Sequence, residues 1–152
     1  MTFDELLAEG DSVPTDGWDF SWFDGRATEE RPWWGYAALM AGRMNGPGAA
    51  LDIGTGGGEV LSTVPRLPPL AVATESWPPN LETARRRLRP LGIHVVAAAD
   101  SHLPLASSSF DLVVSRHPVA TYWSEIARIL RPGGTYLSNR SGPVRCAHSP
   151  TS

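Results

Sequence analysis

The chain of 152 residues is long enough for one compact domain with a sizeable core. Its formal net charge of −3 at pH 7 gives no reason to expect nucleic acid or an anionic membrane as a main partner. One cysteine, Cys146, excludes an internal disulfide, no apolar run reaches the length of a membrane span, and the acidic N-terminus lacks a signal-peptide layout, so the expected setting is the cytoplasm.

In chain order, a short helix is expected over Phe3 to Ala8, followed by a turn-rich segment around Pro14, Asp16 and Gly17. Trp18, Phe20, Trp22 and Phe23 follow closely. Aromatics at this density anchor an arm on a domain surface, or cover a ligand crevice as a lid. Pro32 to Met44 reads as a helix, with Trp33, Tyr36 or Ala37, Met40 and Met44 at helical spacing and Asn45-Gly46-Pro47-Gly48 as its stop. Ala49 to Ile53 is a short apolar run, and so a buried strand. It breaks at Gly54, and a short helix is expected from Glu59 to Val64, closed by Pro65, Pro68 and Pro69.

Leu70 to Thr74 is the second strand, tipped by Glu75. Pro78 and Pro79 open the next helix, with Leu81, Ala84 and Leu88 on its inner side and Arg85, Arg86, Arg87 and Arg89 on a solvated face that complements the dipole. Ile93 to Ala99 gives a third strand, with Asp100 and Ser101 at its end. Phe110 to Ser115 gives a fourth, Val-rich enough for burial on both faces. Thr121 to Leu130 reads as a helix with Tyr122, Ile126, Ile129 and Leu130 on one side. Arg131-Pro132-Gly133-Gly134 is expected to end it and turn into a fifth strand, Thr135 to Ser138. Strands separated by helix-length crossovers build an α/β, Rossmann-like doubly wound parallel sheet. Asp52, Glu75, Asp100 and Ser115 then share its carboxyl edge, where such sheets take ligands.

The turn from Asp52 to Gly58 is the centre of the chemistry. Its pattern is acid-x-Gly-x-Gly-x-Gly, and its glycines let a ligand approach the backbone where a Cβ would intrude. A dinucleotide fingerprint on Gly54 and Gly56 needs a small residue where Glu59 stands, and that carboxylate opposes a pyrophosphate. A Gly-Lys-Ser/Thr phosphate loop is also absent, because the chain has no lysine. His94, His102 and His148 lack metal-ligand spacing, so no metal is expected.

These pieces together resemble the class I S-adenosylmethionine-dependent methyltransferases, in particular the type 11 methyltransferase-domain group. The resemblance covers about residues 47 to 138. It is carried by Leu51-Asp52-Ile53-Gly54-Thr55-Gly56-Gly57-Gly58, Glu75, Asp100-Ser101, Phe110-Asp111-Leu112-Val113-Val114-Ser115 and Leu130-Arg131-Pro132-Gly133-Gly134. It implies a strand order of 3-2-1-4-5 and S-adenosylmethionine as cofactor. By the same resemblance, Asp52 is a cofactor-binding residue, the loop from Gly54 to Gly58, with Thr55 and Gly56, approaches the methionine part and sugar, and Glu75, with Ser76 beside it, holds the ribose hydroxyls. Asp100 meets the adenine amino group, the Ser101 backbone NH meets the ring, and Ser115 and Arg116 line the methyl-donor side. Helix capping or loop bracing is the structural alternative for Glu75 and Asp100.

The implied reaction is SN2 methyl transfer to a small-molecule acceptor, with no nucleic acid or membrane involved. His117 is the nearest candidate base should the acceptor lose a proton. The alternatives are an inactive remnant that binds cofactor or a partner, and an NAD-dependent oxidoreductase. After the fifth strand the usual antiparallel strand pair is missing from the sequence, as in a truncated gene product, so strand five is expected to be an open edge available for self-association. The expected organisation is an arm over 1–30, a cofactor domain over 31–138 and a flexible tail over 139–152.

Overall fold

The computed structural model describes residues 2–14, 21–26 and 35–139. Five parallel strands form one sheet: β1 (Ala49–Asp52), β2 (Leu70–Glu75), β3 (His94–Ala97), β4 (Phe110–Ser115) and β5 (Leu130–Ser138). Their order is β3-β2-β1-β4-β5, as expected from the resemblance. All of β1 is buried, as is β4 apart from Asp111, which is why both read as apolar runs. β5 lies at the sheet edge.

Helices cover both faces. On one, α2 (Tyr36–Met44) and α3 (Pro78–Leu88) press Met40, Met44, Ala84 and Leu88 onto Ala50, Ala71, Ala73, Leu112 and Val114. The small strand residues leave room for the larger helix side chains. On the other, α4 (Trp123–Ile129) packs Ile126 and Ile129 with Leu51, Val72 and Val113. Of the expected α2 positions, Tyr36, Met40 and Met44 are buried and Ala37 is exposed. Pro32 and Trp33 lie outside the described residues, as do Trp18, Phe20 and the tail from 140 onward.

Helix α1 runs Phe3–Asp11, three residues beyond its expected end. Its start is a capping box: Glu5 N donates to Thr2 Oγ1 and Thr2 N donates to Glu5 Oε2. It buries no residue, and Phe3, Leu6 and Leu7 are exposed. Trp22 packs edge-on against Phe23 and lies under Arg26, which pairs with Glu9.

Four further elements differ from expectation. The helix expected over Glu59 to Val64 is a single 3-10 turn at Leu61–Thr63. Helix α4 begins at Trp123, and Tyr122 is its exposed N-cap rather than part of the buried side. β3 covers only His94–Ala97, and the Ala98 amide, donating to the Glu75 carbonyl, makes the last bond of its ladder with β2. β5 begins at Leu130 and contains the Arg-Pro-Gly-Gly segment instead of following it.

The pairing jumps from Phe110↔Leu130 to Leu112↔Thr135, so residues 131–134 bulge out of the edge strand. Gly133 takes a left-handed φ of +81° there. The bulge carries Arg131 to both oxygens of Asp111, at 3.0 Å. Asp111 Oδ2 also accepts from Gly48 N and Ala49 N, at 3.0 and 2.9 Å. Two of the motif pieces, Phe-Asp and Arg-Pro-Gly-Gly, are therefore a brace that fixes where β1 starts.

Candidate active site

Glycine and carboxylate chemistry meet at the carboxyl edge of β1, β2 and β3. Gly54, Gly56 and Gly58 have φ of +65°, +66° and +78°, the left-handed conformation that a Cβ penalises. The turn is anchored by Ile53 N on the Val114 carbonyl and Thr55 N on the Thr74 carbonyl, both 2.9 Å. From the far side, the Arg87 guanidinium donates to the Gly57 carbonyl and pairs with Glu59 Oε1 at 2.8 Å.

Glu75 braces this turn and the chain entering α3. Its Oε2 accepts from Gly56 N at 2.9 Å, and its Oε1 accepts from Ser76 N and Trp77 N at 2.8 and 2.9 Å. The prolines at 78 and 79 have no amide hydrogen to offer, so Glu75 serves the free donors just ahead of α3. Oε1 thus has both lone pairs engaged, and Oε2 keeps one open acceptor site for a ligand hydroxyl at the strand tip.

Asp52 is 6% exposed. Burial pushes its carboxyl up to about 7; the neighbouring Glu75 charge adds to this, while Thr55 and Arg116 oppose it. The Thr55 hydroxyl acts from a position short of hydrogen-bonding geometry, since its Oγ1 has no hydrogen-bond partner. Asp100 is raised by burial and then by Glu75. Its Oδ2 lies 3.9 Å from where a Cβ on Gly54 would be, so the carboxyl overhangs the turn. The structure thus brings Asp52, Gly54, Thr55, Gly56, Glu75 and Asp100 together. Ser76 and Ser101 are exposed at the rim, and Ser115 is buried at the β4 tip. Gly58 faces inward onto Leu88 rather than toward the edge.

Two crevices flank the β1 tip. Ile53, Asp100, Ser115, Tyr122, Ile126 and Tyr136 are among the residues lining one. Tyr36, Met40, Asp52, Gly54, Thr55, Val60 and Arg116 line the other. Half-buried His117 lines neither. Tyr36 and Tyr136 were hidden from sequence reasoning because each sits among apolar residues at core spacing.

The loop before β4 is fixed to α4. Glu125 Oε2 accepts from Leu103 N at 2.8 Å, and Arg128 donates to the Leu103 and Leu105 carbonyls at 2.9 and 2.7 Å while pairing with Glu125. Arg128 beside it, and then the Leu103 amide, hold the Glu125 carboxyl down at about 2. Its contribution is therefore present above the ordinary Glu value and is lost as pH falls toward 2. Replacing Arg128 by Met is expected to speed hydrogen exchange at the Leu103 amide more than at amides of β1. Equal acceleration at both would mean that Arg128 does not act locally.

An open parallel sheet with a glycine turn after its first strand and acids at successive strand tips defines an α/β domain of the kind that takes ligands at its carboxyl edge. The chain belongs to the methyltransferase-domain family, a class I S-adenosylmethionine-dependent group; the family model, described as "Methyltransferase domain", matches residues 51–138. Among solved structures, a Methanococcus maripaludis protein assigned as an S-adenosyl-L-methionine-dependent methyltransferase is similar at 25% identity, with 68% of this chain and 53% of that chain covered and a TM-score of 0.58. The Haloferax volcanii protein solved in complex with the Trm112 methyltransferase activator is similar at 24%, with 76% and 53% covered and a TM-score of 0.60. Geranyl diphosphate methyltransferase, solved with geranyl diphosphate and sinefungin, is similar at 18%, with 70% and 44% covered and a TM-score of 0.61. The chain thus spans about half the length of these structures. No curated protein sequence matches it. No helix among the described residues is long and apolar enough to cross a membrane.

Proposed function

We propose that residues 31–138 bind S-adenosylmethionine along the carboxyl edge of the sheet and serve methyl transfer to a small-molecule acceptor. The observation that carries this reading is Glu75, whose carboxylate braces the glycine turn and still has acceptor capacity for a ribose. In this arrangement the Gly54–Gly56 backbone approaches the sugar and methionine part. Asp100 faces the adenine amino group, with Ser76 and the Ser101 NH at the rim. Bound there, the cofactor supplies a methyl already activated by a cationic sulfur. The chain's own task is to orient it and exclude water. Carboxylates at three strand tips favour a cation over a phosphate. Ser115 and Arg116 border the methyl-donor side, and His117 is available as a base for an acceptor that loses a proton. The similar geranyl diphosphate enzyme, named for a small-molecule acceptor, supports that acceptor class.

A dinucleotide reading is disfavoured by the same turn. The 3-10 turn after it offers no α-helix N-terminus for a pyrophosphate, and Glu59 holds Arg87 where a small residue would be needed. As the edge strand of the sheet among the described residues, β5 favours a second role in pairing with a partner or a second copy, and size measurement across a concentration series tests it. The cytoplasmic setting belongs to this reading and rests on the lone Cys146. The arm over 1–30 is read as a separate segment.

Calorimetry with S-adenosylmethionine and S-adenosylhomocysteine on folded protein is the test. Binding of both is expected, with Glu75→Ala losing at least about tenfold in affinity. Absence of binding by folded wild-type protein would refute the proposal. Methyl transfer to a panel of acceptors then separates an active enzyme from a cofactor-binding remnant.

A further inference from the structure

Helix α1 presents an uncovered apolar stripe. Phe3, Leu6, Leu7 and Gly10 stand at i, i+3, i+4 and i+7, so they share one side of the helix, and all four are exposed. Asp4 and Asp11 border the stripe beside Leu7, Glu9 borders it beside Leu6, and the helix has no basic residue. Glu9 holds Arg26 and Glu5 closes the capping box. Asp4 and Asp11 have no cation beside them among the described residues. An apolar helix face rimmed by charge is the form that docks on another protein surface.

The complementary surface lies at the amino edge of the sheet, opposite the glycine turn. The last turns of α2 and α3 lead into β1 and β3, so both helices end at that edge. They bring Arg43, Arg85, Arg86 and Arg89 there, and Arg66 stands on the loop entering β2 at the same edge. None of these arginines has an acidic partner among the described residues. Glu59, Asp111 and Glu125 are held by Arg87, Arg131 and Arg128, and Glu82 is the one exposed acid on α3. Leu70 and Leu91, 38% and 47% exposed, lie at this edge too. A base-rimmed apolar edge thus matches an acid-rimmed apolar helix in both respects. Because α1 buries no residue in this structure, its own domain does not take the stripe, whereas a second copy offers the same edge. We propose that α1 of one copy seats on the arginine-lined amino edge of a second copy, with Phe3, Leu6 and Leu7 against Leu70 and Leu91, and Asp4 and Asp11 toward the arginines. Exchange in both directions gives a closed two-fold dimer with two such contacts. The carboxyl edge, with the candidate active site, stays open.

Sedimentation equilibrium of the full chain over a concentration series tests it. Wild-type protein is expected to dimerise, with a dissociation constant that rises about tenfold from low to high salt as exposed charges are screened. Asp4→Arg with Asp11→Arg in α1, or Arg86→Glu with Arg89→Glu at the edge, is expected to weaken self-association at least about tenfold. All four positions are exposed and outside the core. The deciding sample is the two variants mixed in equal amounts. Each helix then meets an edge of opposite sign, and a heterodimer is expected to form as tightly as the wild-type dimer. Fraying of α1 by the substitutions, or docking of α1 within its own chain, gives no such rescue. A mixture that stays monomeric, a dimer indifferent to both reversals (as pairing through β5 would be), or a wild-type chain monomeric at every concentration would each overturn the proposal.

Discussion

Alanine at Gly58 is expected to destabilise the domain by about 3 kcal/mol, through a backbone penalty of about 1 kcal/mol and an overpacking penalty of about 1–3 kcal/mol. The backbone there is at φ +78°, and an added Cβ would lie 2.7 Å from Leu88 Cγ, with Cδ1 and Cδ2 at 2.8 and 3.0 Å. Leu88 cannot withdraw, because it is fully buried at the end of α3 among the core residues beside Ala84 and Ile93. Gly92 provides the control. It has nearly the same φ, +80°, with nothing within 4 Å of an added Cβ, so Gly92→Ala carries the backbone penalty alone. Urea unfolding should show the larger midpoint drop for Gly58→Ala, with unchanged slope. A Leu88→Ala background should shrink the effect, since the clashing atoms are gone. Equal losses at Gly58 and Gly92 would remove packing from the account.

That third glycine of the turn explains how function and fold share one motif. In the proposed cofactor reading Gly54 and Gly56 open the edge toward the ligand, whereas Gly58 seats the turn on α3. A sequence pattern cannot separate these uses, because all three positions need the same left-handed backbone.

The architecture was legible for a simple reason. Short apolar runs punctuated by proline and glycine, with helix-length crossovers between them, have few parallel arrangements. The acids at the strand tips were legible too, since tip positions follow directly from strand ends. The failures were local. Pro132 and Gly133-Gly134 read as a break, but an edge strand tolerates both residues in a bulge. The element after the turn read as a helix because Val60 and Leu61 are apolar, yet Val64 is already extended just before Pro65, and only a 3-10 turn fits. Tyr36 was read at core spacing and is in the core; what spacing could not convey is that it also lines a crevice with Asp52.

Asparagine at Asp52 is expected to make the domain more stable than wild type at pH 8, and to lose that advantage as pH falls toward 4. The sign follows from a carboxyl raised to about 7 in the native state against an ordinary value of 3.8. The unfolded chain gives up the proton near 4, while the native protein keeps it until about 7. Stability contributed by this group is therefore complete below about pH 4 and is lost as pH rises through 7, by up to about 1.4 kcal/mol per pH unit. The full swing is on the order of 4 kcal/mol, the upper bound for a site this buried. Urea unfolding of both proteins at intervals from pH 4 to 8 measures it directly. Asparagine keeps the shape and lacks the charge, so its curve should stay flatter over the window. Two stability curves that remain parallel from pH 4 to 8 would mean that Asp52 stays ionised throughout, and that burial beside Glu75 does not govern its charge.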